Sequence, residues 1–125
     1  MRQNNASIYG VSDRIEWVND DCFNYISSQS SLLDKSKTVI FASPPWGGPA
    51  YSVEAIFDLD KMEPYSAKHI HQAVKDMDSA LFLPRTSDLR QIAGFTQDGK
   101  KVDVVQYCMD GASKGMVAYI PAGTQ

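Results

Sequence analysis

The chain has 125 residues, 43% of them hydrophobic and 22% charged, with a formal net charge of −3. That length suits a single domain, residues 1–125, with a real core, and the acidic balance excludes a general basic coat for nucleic acid, so any such contact is local. No stretch approaches the ~18 apolar residues of a membrane span, the opening MRQNNASIYG lacks the apolar core of a signal peptide, and the distant Cys22 and Cys108 read as free thiols of a reducing compartment, cytosol or nucleus.

Residues 1–9 read as the tail of a helix stopped by Gly10. Residues 14–18 (Arg-Ile-Glu-Trp-Val) alternate polar and apolar, which predicts a short strand. Asp21 then caps a helix over residues 22–28. Residues 38–42 are apolar throughout, as in a central parallel strand covered on both faces. After SPPWGG comes an irregular stretch held down by Phe57, Leu59 and Met62. Residues 66–77 carry Ile70, Val74 and Met77 at helical spacing. Residues 79–83 form a third strand ended by Pro84, and Ser87 caps a helix through Ile92 stopped by Gly94. Residues 102–109 and 116–120 read as an antiparallel hairpin with a longer loop begun by Asp110-Gly111. Met62, Met77, Met109 and Met116 read as core filler. Asp58, Asp60 and Glu63 read as a solvated acidic loop, and the late cations, among them Arg85, Arg90 and Lys100, as solvated surface. His69 and His71, two apart, do not share a helix face, so no metal site is expected.

Strands alternating with helices predict an α/β domain with a mostly parallel sheet and a C-terminal antiparallel hairpin. Ligands of such sheets sit at the carboxyl ends of the strands. Asp21, Ser43 to Trp46, and Pro84-Arg85 each follow a predicted strand and would fall on that one edge. In FASPPWGGPAY, two prolines fix φ and remove two donors, leaving carbonyl acceptors on a rigid path. Trp46 can stack on a planar ring, best on a cationic one, and Gly47-Gly48 let the backbone pass close to a ligand. This combination suits methylation of an exocyclic amine on a base. A proline-rich turn that docks on an SH3-type module explains it poorly, because the motif follows a buried strand.

SPPWGGP with a following aromatic (Ser43 to Pro49, Tyr51) resembles the trimethylguanosine synthases. Two further segments agree in order: Asn4-Asn5-Ala6 with Ile8 to Val11 and Asp13, and Phe82-Leu83-Pro84-Arg85. The resemblance covers nearly the whole chain and implies the C-terminal part of a Rossmann-like catalytic domain. It implies transfer of methyl groups from S-adenosylmethionine to N2 of the 7-methylguanosine cap on small nuclear and nucleolar RNAs, in the nucleus or nucleolus, with no metal. Ser43, Pro44 and Pro45 then correspond to the catalytic cradle of the amine, and Ser43 also to the donor's methionine end. Trp46 corresponds to the ring clamp and Arg85 to a contact of the cap phosphates. Asp21 and Cys22 fall where the family binds the donor's adenine.

The sequence departs from that pattern at Asp20-Asp21-Cys22, where the family has Gly-Asp-Phe, and at Thr86, where it often has asparagine. No G-x-G-x loop precedes a helix, although the family binds its donor through such a loop after the first strand. The expectation is therefore a partial domain lacking the first two strands, which lie between the third and fourth in the family's sheet. A further N-terminal segment or a partner chain would complete it. Two other readings stand: an amine methyltransferase for another base such as adenine, and a non-catalytic remnant that keeps cap binding or a protein contact.

Overall fold

A computed structural model describes residues 2–48, 53, 55–96 and 99–123, which form two compact units, Met1–Ser31 and Leu32–Gln125. Pro49 and Tyr51 of the motif lie outside the described residues.

In the first unit, helix α1 spans Arg2–Ile8. Gly10 (φ +69°) takes the left-handed conformation, and its N–H donates to the Ser7 carbonyl at 3.0 Å, as a helix-ending glycine should. The strand expected at residues 14–18 is not formed. Arg14 closes a single 3-10 turn, Ser12–Arg14, and residues 15–19 join no sheet although Ile15 is extended (φ −121°, ψ 122°). Alternation supplies the period of a strand, but a strand exists only where a neighbour takes up its backbone groups. Helix α2, Cys22–Gln29, has the predicted cap: Asp21 Oδ1 accepts from the N–H groups of Phe23 (2.9 Å) and Asn24 (3.2 Å).

The second unit holds a four-stranded sheet, β1 (Val39–Ala42), β2 (Asp78–Leu83), β3 (Asp103–Met109) and β4 (Ala112–Ile120), in the order β1-β2-β4-β3. Only β1 and β2 are parallel; β4 runs antiparallel to both β2 and β3, so among the described residues the sheet is not mostly parallel. Nor is β1 central. It forms one edge, and Val39 and Phe41 are each 67% exposed. An apolar run shows what a strand can pack against without supplying the packing. The hairpin turn is two residues rather than a longer loop. Asp110 (φ 52°) and Gly111 (φ 78°) both take the left-handed region that such a turn requires. The polar start of β4, around Ser113 and Lys114, hides four residues of strand from a hydrophobic pattern.

Cross-strand partners share a sheet face, so Leu81 with Ala118 and Leu83 with Met116 line up on one side. There they join Ile70 and Val74 of helix α3 (Ala67–Val74), Ile92 of helix α4 (Leu89–Ala93) and Leu59 in a buried core. Burying each such side chain contributes roughly 1.5–3 kcal/mol. Phe57, Met62, Met77 and Met116 are buried as expected, whereas Met109 is 65% exposed at the end of edge strand β3. Ser66 caps α3 through the His69 N–H (3.1 Å). The cap of α4 is Asp88, not Ser87, because the Ser87 hydroxyl donates to the Pro84 carbonyl at 2.6 Å. No helix among the described residues is long and apolar enough to cross a membrane.

His71 packs its ring on Phe95, with centroids 4.9 Å apart, and its Nδ1 is buried without a hydrogen-bond partner among the described residues. Burial pushes its pKa below the ordinary 6.5; the Phe95 main chain opposes the shift and the Lys75 charge adds to it. The folded state therefore favours neutral imidazole, while the unfolded chain takes up a proton as pH falls through 6.5. Stability from this group is complete above that value and is lost as pH drops toward the lower folded pKa. Urea unfolding should give a lower midpoint at pH 5 than at pH 7.5, and His71→Gln should flatten the difference; an unchanged slope in the variant would refute the assignment.

Candidate active site at the ends of the parallel strands

Because β1 and β2 are adjacent and parallel, their carboxyl ends lie side by side. Ser43 to Trp46 leave the end of β1, and Pro84-Arg85 leave the end of β2. The sequence expectation that these two segments share an edge is met within the second unit. Asp21 and Cys22 belong to the first unit. There Asp21 Oδ1 is engaged by the α2 cap and Oδ2 carries no hydrogen bond among the described residues, while Cys22 is an exposed free thiol.

The strand-end segment is shaped by its own residue types. After Ala42 the prolines prevent further ladder pairing. Gly47 (φ +96°) and Gly48 (φ +90°) then turn the chain through conformations that only glycine adopts readily. The turn lets Trp46 fold back onto β2. Its indole Nε1 donates to the Phe82 carbonyl at 3.2 Å, and its ring meets the Phe82 ring at 5.4 Å between centroids, tilted by 38°. Ser43, Pro44, Pro45, Trp46, Gly48 and Phe82 line an open groove of about 340 Å³. The carbonyls of Pro44 and Pro45 accept no hydrogen bond among the described residues, so the groove presents rigid acceptors beside a half-buried indole.

Arg85 lies three residues beyond Phe82 and is exposed, with no ion pair among the described residues. The turn that carries it is fixed. The Pro84 carbonyl accepts from both the Ser87 N–H (3.1 Å) and hydroxyl, and Phe57 bonds the Thr86 carbonyl (2.8 Å) and the Asp88 N–H (3.0 Å). A guanidinium held there faces water, where it can meet an anionic ligand.

Two residues that position this site escaped sequence reasoning. Phe82 was legible only as part of a motif, yet it supports Trp46 twice, by carbonyl and by ring. Gly115 on β4 provides the room for Phe82: a Cβ there would lie 2.7 Å from Phe82 Cζ and 2.8 Å from Cε2. The available signal was a glycine inside a strand, which marks close approach of another group. Nearby, the acidic loop is more than solvated charge. Gln91 bridges it, accepting from the Leu59 N–H (2.7 Å) and donating to Asp58 (2.7 Å). The Gln91 hydrogen bond and the Asp60 N–H hold the Asp58 carboxyl below its usual pKa. No group of three or more His, Cys, Asp or Glu among the described residues is placed to hold a metal ion.

Comparison with known proteins fits this arrangement. The chain belongs to the RNA cap guanine-N2 methyltransferase family, whose sequence profile matches residues 1–123. It is 28% identical to the trimethylguanosine synthase of Schizosaccharomyces pombe over 122 residues, 95% of this chain and 51% of that protein. It is 33% identical to the trimethylguanosine synthase of Saccharomyces cerevisiae over 96 residues, 74% of this chain and 30% of that protein. The chain thus spans about half the length, or less, of the curated relatives it matches.

Gly115→Ala tests the support beneath the indole. Carbon pairs prefer about 3.5–4.0 Å, so the new methyl must push the Phe82 ring and overpack the sheet at a cost of about 1–3 kcal/mol. In a Trp17→Phe background, Trp46 emission should shift red as the indole loses its cover; unchanged emission and stability would remove Gly115 from the site.

Proposed function

We propose that this chain carries the guanine-binding side of an enzyme that methylates N2 of the 7-methylguanosine cap of RNA. The observation that carries the reading is the pairing of Trp46 with Phe82 beside a groove walled by proline carbonyls that accept no hydrogen bond among the described residues. Trp46 would lie on the 7-methylguanine ring, whose positive charge favours an indole face. Phe82 fixes the tilt of that indole from below.

The acceptor path does the orienting. The guanine amine has two N–H groups, which Ser43 and the Pro44 and Pro45 carbonyls can accept. Holding both N–H groups points the remaining lone pair in one direction, so positioning and electrostatics carry the rate. No strong base is needed, because the amine becomes acidic once it gains a methyl group and a positive charge. Arg85 would pair with the cap phosphates.

S-adenosylmethionine supplies an electrophilic methyl group when bound. The residues in hand fit only part of it. Asp21 keeps one carboxylate oxygen clear of the α2 cap and by resemblance would serve the donor's adenine; Ser43 by resemblance would serve its methionine end. Cys22 offers little cover for a ring, and the sequence contains no G-x-G pattern. Among the described residues β1 has one open edge, which would suit a domain whose further strands come from another segment or a partner chain. Capped small nuclear and nucleolar RNA would be the substrate, and the nucleus or nucleolus the setting.

A second reading draws support from the missing glycine loop: a module that binds cap and transfers nothing. Labelled-methyl transfer to capped RNA by this chain would exclude it, and quenching without transfer would favour it.

With Trp17→Phe as background, a 7-methylguanosine cap analogue should quench Trp46 and adenosine should not. Trp46→Leu should weaken cap binding roughly 5- to 30-fold, the equivalent of about 1–2 kcal/mol of cation–π attraction. Equal binding by the variant would sink the clamp. Calorimetry should find donor binding by residues 1–125 weaker than micromolar, and micromolar affinity would overturn the incomplete-site reading.

A further inference from the structure

A second cavity, of about 450 Å³, opens on the helical side of the sheet. Its walls come from α3, from the end of α4, and from the segment after β4. It lies at the other end of β2 from Trp46. Lys75 precedes the start of β2, Ile120 pairs with Ser79 at that start, and the Gly123 N–H donates to the Lys75 carbonyl at 2.7 Å.

We propose that this cavity binds phosphate groups, at a site separate from the groove beside Trp46. Lys68, Gln72 and Lys75 line it from α3, spaced four and three apart, so they share one helix face. Neither lysine has an ion pair among the described residues. Two unpaired cations on one wall are a local reversal in a chain of net charge −3. The opposing charges are accounted for. Arg90, at the rim, is held by Asp88 through two bonds of 3.1 and 3.0 Å. Asp60 is the one carboxylate in the lining among the described residues, and it lies 3.4 Å from the Gln91 amide.

The second observation is independent of charge. His71 lines the same cavity, is only 8% exposed, and has a buried Nδ1 with no hydrogen-bond partner among the described residues. Buried polar atoms are nearly always satisfied, and exceptions mark places where a missing partner belongs. Lysines pair with phosphate as compact point charges, and Gln72, Gln91 and Thr96 add neutral donors. The aromatic ring in the wall, Phe95, has one face taken by His71. No paired aromatic platform for a base accompanies the lysines among the described residues, so the site should read the sugar–phosphate backbone and ignore sequence.

Phosphate could arrive on an RNA chain or as a free nucleotide, and one titration separates them. The chain, labelled with nitrogen-15, is titrated with inorganic phosphate, with adenosine monophosphate and with an uncapped ten-nucleotide RNA, at 50 and 200 mM salt. Shifts should map to α3, α4 and residues 121–123 and leave the Trp46 indole unmoved. Tighter binding of the RNA than of the nucleotide identifies the backbone as ligand; equal binding identifies the free nucleotide; both support the site. Lys68→Ala/Lys75→Ala, on exposed positions of a capped helix, should weaken binding about 10-fold. For RNA it should also lower the salt slope by roughly 1.4, two contacts at about 0.7 each. Far-ultraviolet dichroism checks that the variant is folded, and cap-analogue quenching of Trp46 should be unchanged in it. If none of the three probes shifts the cavity residues, or if the double variant binds as the parent does, the proposal fails, whatever the outcome at Trp46.

Discussion

The contact between Phe82 and Gly115 is the constraint on which the site depends. A phenylalanine on β2 can lie flat against β4 only where β4 has no side chain, and Gly115 supplies that gap. With the ring seated there, the Phe82 carbonyl and ring edge both meet Trp46. The indole therefore owes its place to two strands that are neighbours in the sheet and distant in sequence. The prolines and glycines of the motif make the excursion stiff, but it is the sheet that aims it.

That arrangement divides the second unit by chemistry. At the carboxyl ends of β1 and β2 stand an indole, a phenyl ring and proline carbonyls with no hydrogen-bond partner among the described residues, a surface suited to a flat, positively charged ring with amine donors. Arg85 follows directly on the fixed turn of residues 84–88. At the opposite end of β2, lysines and amides suit a ligand with negative charge, read through its phosphates rather than its base. A Gln91 bridge between α4 and the Asp58 loop holds the wall of the second region. The two regions share a sheet and no side chains, so they can be altered separately.

Much of the fold was legible because local signals agreed with each other. Asp21 lies one residue before a helix and caps it as read, and the helix read over residues 66–77 is there as Ala67–Val74, with Ser66 as its cap. Residues 80–83 are apolar and end at a proline, and β2, Asp78–Leu83, is there. The failures share one cause. The alternation at residues 14–18, the apolar run of β1 and the polar start of β4 each describe a strand's side chains, while pairing is decided by the neighbour. Residues 15–19 lack a strand partner among the described residues, β1 has one neighbour, and β4 has two and so extends through Ser113 and Lys114. The cap of α4 moved from Ser87 to Asp88 for a similar reason: the Ser87 hydroxyl found the Pro84 carbonyl.

For the site, the sequence by itself determined the chemistry of one wall. SPPWGG sets rigid acceptors, a stacking ring and a flexible exit at fixed spacing, and those properties belong to the residues wherever the chain places them. The same sequence matches the cap methyltransferase family over residues 1–123. Only the tertiary structure decided that Phe82 and Gly115 stand behind Trp46, and that Lys68, Lys75 and His71 converge at the far end of β2. Neither grouping has a local pattern, since each joins residues from elements that meet only after the sheet has formed. The physical reason is that a missing Cβ or an imidazole nitrogen without a partner among the described residues acquires meaning from its neighbours, and neighbours across a sheet are set by pairing register rather than by order along the chain.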